Sequence, residues 1–238
     1  ITLPFMLLCF NHELRAEPFK STYQPLPSIN VLIKNANIYD GEGNELQKTD
    51  LLIQNRKIVA IGKDLPVSDN FQVIDASGKW VTPGIIDIHS HMGVYSAPGV
   101  STSSDGNEAT SPVTADVWAE HSMWVQDPQY ALALSGGVTA FHVLPGSANL
   151  IGGRGVTVKN LQRNTINSMK FPNAPHSLKM ACGENPKRVY GNRQQAPSTR
   201  MGNIAGYRKA WIEAEAYLNR LNEYESKSTE AKEMGYKP

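Results

Sequence analysis

Short apolar runs separated by turn-forming clusters dominate residues 30 to 83. "VLIKNANIYD" is apolar and then alternates. "DLLIQNRKIVAIG" does so twice about a turn at Asn55-Arg56, and "FQVIDASGKWVTPG" follows. "DGEGNE" and "ASGK" supply the turn chemistry between them. This pattern predicts a small antiparallel sheet over roughly 30 to 83. A polar, proline-containing loop, "STYQPLPSIN", leads into it.

After Pro83-Gly84 the pattern changes. "IIDIH" is a continuous apolar run of the kind buried on both faces of a sheet. "ALALSGGVTAFHVLPG", "GGRGVTVKN" and "HSLKMACGENP" each place a short β-type run before a loop-forming stretch. "SPVTADVWAEHSMWVQDPQYALAL" predicts a helix in its second half, ending at "SGG". Strands alternating with helical or loop segments predict βα units and a parallel sheet. Tyr207, Ala210, Trp211, Ala214, Leu218 and Leu221 fall at helical spacing opposite a charged face, which predicts an amphipathic helix. The "NEYESKSTEAKEMGYKP" end reads as its solvated tail.

The 238 residues are 40% hydrophobic and 19% charged, enough for a sizeable core. A net charge of +1 gives no electrostatic case for nucleic acid or an acidic membrane face. Cys9 and Cys182 form neither a disulfide framework nor a zinc-cysteine motif. "ITLPFMLLCF" is too short to span a bilayer but suits the apolar core of a secretory signal. A signal there implies a periplasmic or secreted protein. A buried or disordered N-terminal arm implies a cytoplasmic one.

The candidate chemistry lies in "GIIDIHSHMG". Residues i and i+2 of a strand share a face, so Asp87, His89 and His91 project together, the histidines at the strand end. Paired imidazoles on a rigid strand suit zinc or a similar borderline ion, and Asp87 is placed to orient a ring. His142 ends a later strand and reads either as a mouth residue or as a hydrogen-bonded core histidine. "GSANLIGGRG" lacks the Lys-Ser/Thr ending of a phosphate loop, which excludes nucleotide binding there. As a loop over a mouth it offers Asn149 and Arg154 as substrate contacts, the arginine suiting a carboxylate. Surface packing is the competing role for Arg154.

"GKWVTPGIIDIHSH" resembles the signature of the amidohydrolase superfamily, and "VLIKNANIYDGEGNELQKTDLLIQNRKIVAIG" is similar to that family's opening segment. "GVTAFHVLPGSANLIGGRGVTVK" and "LKMACGENPKRVYG" resemble its imidazolonepropionase-like, dipeptidase-like branch. The resemblance covers about residues 30 to 205. It implies an α/β fold: a small N-terminal β-sandwich segment, then a partial (β/α)8 TIM barrel of about four βα units. The divisions are an arm at 1–29, the sandwich segment at 30–83, half a TIM-like barrel at 84–205, and helix and tail at 206–238. By position, His89 and His91 match the family's strand-one metal ligands. Its strand-four ligand, a glutamate or a carboxylated lysine, matches Glu184 or Lys179 in "HSLKMACGE". Glu184 is the favoured of the two because it needs no modification. The implied cofactor is one or two divalent ions, zinc foremost, with manganese or iron as alternatives.

The implied activity is hydrolysis of a C–N bond in an amide, cyclic amide or dipeptide-like substrate by metal-activated water. The family completes its site with histidines of strands five and six and an aspartate of strand eight, yet no histidine follows Glu184. Eight βα units need about 250 residues for the barrel alone. The expectation is therefore the N-terminal half of a longer hydrolase. Its competitor is a catalytically inert member, or an interaction module needing a second chain or forming a homo-oligomer.

Overall fold

The computed structural model describes residues 18–66, 68–227, 229 and 233–234, so the signal-like run at 1–17 lies outside the described residues. Strands β1 (Val31–Tyr39), β2 (Glu45–Gln54) and β3 (Lys57–Gly62) form an antiparallel meander. Asn55 and Arg56, at φ 50° and 64°, make the left-handed pair that a two-residue hairpin requires. Two further strands, β4 (Gln72–Asp75) and β5 (Trp80–Val81), run parallel to β1, a difference from the expected antiparallel sheet. The chain crosses from β3 to the far edge of β1 before pairing again, which reverses the sense. Buried Asp50 fixes that route: its carboxylate accepts from the backbone N–H of Asn35 at 2.9 Å and of Leu65 at 3.1 Å. Ala36, Ile38, Leu51 and Ala76 pack as this sheet's core.

The second sheet has the order β6 (Ile85–Ser90), β7 (Val138–Val143), β8 (Ile151–Lys159), β9 (Ser177–Met180). β6 and β7 are parallel, but β8 runs antiparallel to both neighbours, so four consecutive parallel βα units do not form. The β7–β8 link, residues 144–150, is far shorter than the dozen or so residues a parallel crossover needs. Helix α1 (Gln129–Ser135) precedes β7 and stops at Gly136-Gly137, where the sequence placed its end. Phe141, Val143, Val156 and Val158 bury one face of the sheet against Val94, Met123, Tyr130 and Met169. The opposite face carries His142, Thr157, Ser177 and Lys179 in register.

β6 departs from the expectation of burial on both faces. It is an edge strand, and its Ile88 is 77% exposed. The arm is better anchored. Thr22 N–H donates to Asn167 O (2.9 Å), Ser21 Oγ to Lys170 O (2.8 Å), and Lys170 Nζ to Phe19 O (2.6 Å). Lys170 also meets Glu120 at 2.6 Å, both side chains buried.

Two helices follow β9: α2 (Glu184–Gly191) and α3 (Arg200–Ser226). The sequence placed the second at 206; it begins earlier because Thr199 Oγ1 accepts from Gly202 N–H at 3.0 Å. Tyr207 of the predicted stripe donates its hydroxyl to Ala181 O, but Trp211 and Leu218 are exposed. The expected helix forms, but its apolar residues are not gathered on one covered face: of its side chains Asn203 is the buried one. Among the described residues no helix is long and apolar enough to cross a membrane.

Candidate functional site

β6 delivers His89 and His91 side by side at its end, their ring centroids 5.3 Å apart and nearly perpendicular. His91 Nδ1 lies 2.8 Å from Leu144 O, the first residue after β7. A carbonyl only accepts, so Nδ1 carries a proton, and in the neutral imidazole the lone pair is then on Nε2. Lys179 Nζ, on β9, stands 3.2 Å from His89 Nε2. An ammonium there donates to the imidazole. Lys179 first, then burial, then His91 push the His89 pKa below its ordinary value, and Asp87 opposes them. Burial likewise lowers the Lys179 pKa. Asp87 does not orient a ring; its Oδ1 accepts the His89 backbone N–H at 3.0 Å.

Glu184, the favoured third ligand, is placed differently. Its Oε1 binds Arg188 Nε at 2.6 Å, one turn along α2, in an exposed pair. Among the described residues no three His, Cys, Asp or Glu side chains gather as a metal site. The reason lies in the helix: α2 starts at Glu184, so that side chain follows helical spacing rather than strand alternation. Lys179, inside β9, keeps the strand's direction and reaches His89.

The two substrate-contact candidates also move apart from this cluster. Asn149 is 1% exposed. Its Nδ2 donates to Glu108 O (2.6 Å) and Thr114 Oγ1 (2.7 Å), and its Oδ1 accepts from Tyr190 OH (3.0 Å). That set engages the amide and ties three segments of the chain together. Arg154 lays its guanidinium over Trp118 at 4.7 Å, with Nε 3.4 Å from Ala115 O. Surface packing is its role here. His142 is the hydrogen-bonded core residue of the two alternatives: Nδ1 is 2.9 Å from Thr157 Oγ1 and Nε2 2.6 Å from Ser177 Oγ.

A cleft of about 340 Å³ opens beside His91, lined also by Tyr95, Asn107, Ser147, Asn185 and Arg188. The Tyr95 ring meets His91 edge-on at 5.7 Å, and its hydroxyl bonds Asn107 Nδ2. Burial raises the Tyr95 pKa, against the hydrogen bond from Asn107. Sequence reading did not single out these residues. Their faint signal was spacing: Tyr95 follows His91 by four residues and Arg188 follows Glu184 by four.

Among known proteins, an amidohydrolase of Thermotoga maritima superposes with a TM-score of 0.73 at 38% identity, over 81% of this chain and 49% of that one. The amidohydrolase tasK of Hapsidospora irregularis is 33% identical over 219 residues, 81% of this chain and 22% of the relative. The chain belongs to the amidohydrolase superfamily. A dihydroorotase of Lactococcus lactis is 45% identical over 62 residues, 26% of this chain and 14% of its own length. No family model matches. This amidohydrolase-family chain thus spans about a fifth of the tasK relative and half of the Thermotoga one, matching their N-terminal part.

Proposed function

We propose that the polypeptide carrying this chain is a metal-dependent hydrolase that cleaves a C–N bond in an amide, cyclic amide or dipeptide-like substrate. The observation that carries the reading is the cluster of His89 on β6, His91 just past its end, and Lys179 on β9 beside His89. The donor set fits a borderline divalent ion such as zinc, with manganese or iron as alternatives. His91 presents Nε2 because Leu144 holds its other nitrogen. His89 presents Nε2 toward Lys179, whose burial favours the neutral amine. That amine would add dissolved CO2, forming an N–C bond and releasing a proton to solvent, and the resulting carbamate would bear oxygen donors. A bound divalent ion supplies a water of near-neutral pKa and a Lewis acid for the substrate carbonyl. Within this reading the second sheet is the start of a (β/α)8 barrel and the first sheet part of a β-sandwich. The general base is assigned to the part of the relatives that this chain does not span.

The bare edge of β6 supports a second reading, in which competence requires a further polypeptide segment against that strand. Metal analysis tests the principal one. The purified protein is expected to retain at least one equivalent of zinc, manganese or iron through desalting. His89→Ala/His91→Ala is expected to lose it, and wild-type metal content in that double variant would sink the site.

A further inference from the structure

Arg188 lies on α2 and lines the cleft that opens beside His91. Among the described residues no aspartate or glutamate lines that cleft, and Arg188 is its one permanently cationic residue. Its guanidinium is held from two sides. Glu184 Oε1 takes Nε at 2.6 Å, and Asn185 Oδ1 lies 3.4 Å from Nη2. Nη1 has no hydrogen-bond partner among the described residues. A guanidinium gripped at Nε retains its terminal nitrogens as a fork for a carboxylate.

The walls of the cleft are joined to the histidines by one short loop. Leu144 O accepts from His91, and three residues later Ser147 Oγ accepts from Asn185 Nδ2 at 2.6 Å. Asn185 in turn steadies Arg188. The cation and the imidazole therefore sit at opposite ends of a single braced path. A space of about 340 Å³ is at the small end for ligand pockets and suits an acylated amino acid or a short dipeptide.

We propose that Arg188 is a specificity-determining residue that selects substrates bearing a carboxylate beside the scissile amide, with Glu184 as its positioning residue. The proposal rests on the reading of the His89–His91 edge as the reaction site. It gives Glu184 a different task from the one its sequence position suggested. The carboxylate that grips Nε fixes the angle of the fork and leaves the guanidinium's outer edge for the ligand.

N-acetylglycine and N-acetylglycinamide differ only in carboxylate against carboxamide, and isothermal titration of both tests the assignment at low ionic strength. The protein is used as purified and again after chelation. The acid is expected to bind about tenfold more tightly than the amide, the size of a charge-assisted hydrogen-bonded pair. Arg188→Met is expected to erase that preference, leaving acid and amide with equal affinities. Arg188→Lys is expected to keep part of it, because a point charge without the fork remains. Glu184→Gln is expected to reduce the preference without abolishing it. Equal affinities in the wild type, no binding of either probe, or a preference that survives Arg188→Met would each overturn the proposal. Arg188 is exposed, and circular dichroism verifies that the variants fold. Binding after chelation is independent of metal, so a wild type that selects the acid yet holds no metal sinks the hydrolase reading alone.

Discussion

Lys179 and His89 illustrate how two side chains 90 positions apart set one another's chemistry. Lys179 disfavours a positive charge on His89, so the neutral, metal-competent form of the imidazole is the one this contact prefers. His142, on the same sheet, is a histidine with its ring nitrogens committed to Thr157 and Ser177. Burial first, then His176, lowers its pKa in the folded state. The unfolded chain then binds the proton more readily, so this group costs stability as pH falls below about 6.5 toward the lower native value. His142→Gln is expected to flatten part of that loss. Urea midpoints at pH 7.5 and pH 5 would detect it, since His89 shifts in the same direction in both proteins and cancels. Identical pH slopes for variant and wild type would contradict the assignment.

The elements divide by how local their causes are. The β2–β3 hairpin follows from Asn55-Arg56, and α1 ends where two glycines end it. α3 begins at a signal also present in the sequence, a threonine after Pro197-Ser198, although the apolar spacing suggested a later start. Thr199→Ala is expected to cost about 1 kcal/mol, the usual worth of such a cap. It is read as a lower urea midpoint with reduced helicity at 222 nm. An unchanged midpoint would mean that the first turn of α3 is held by Asn203, which donates to Gly183 O at 3.2 Å, and by Tyr207 instead.

At the scale of the molecule, the open question is what meets the uncovered apolar surfaces. Ile86 and Ile88 of β6 and Trp211 and Leu218 of α3 lie exposed, and β6 is a sheet edge. Such an edge pairs readily even though its His89 N–H is taken by Asp87 Oδ1. The 238-residue chain is expected to self-associate with rising concentration in sedimentation velocity. Ile88→Lys is expected to suppress this with little change in thermal midpoint, because the side chain is already 77% exposed. Association undiminished by the lysine would place the contact elsewhere, with the exposed apolar residues of α3 the next to alter.

What the sequence determined by itself was whatever depends on neighbours within a few positions. It set the strand positions, the hairpin turn, the glycine stop of α1, the side-by-side projection of His89 and His91, and the family to which those joined motifs belong. Tertiary structure decided the questions that hang on connection and pairing. A short β7–β8 link turned β8 antiparallel. The start of α2 swung Glu184 away to Arg188 while β9 kept Lys179 beside His89. Three distant partners closed around Asn149 and engaged its amide. Side-chain direction is set by the local backbone period. Which side chains meet is set by how strands far apart in the chain come to pair, and no spacing along one strand carries that information.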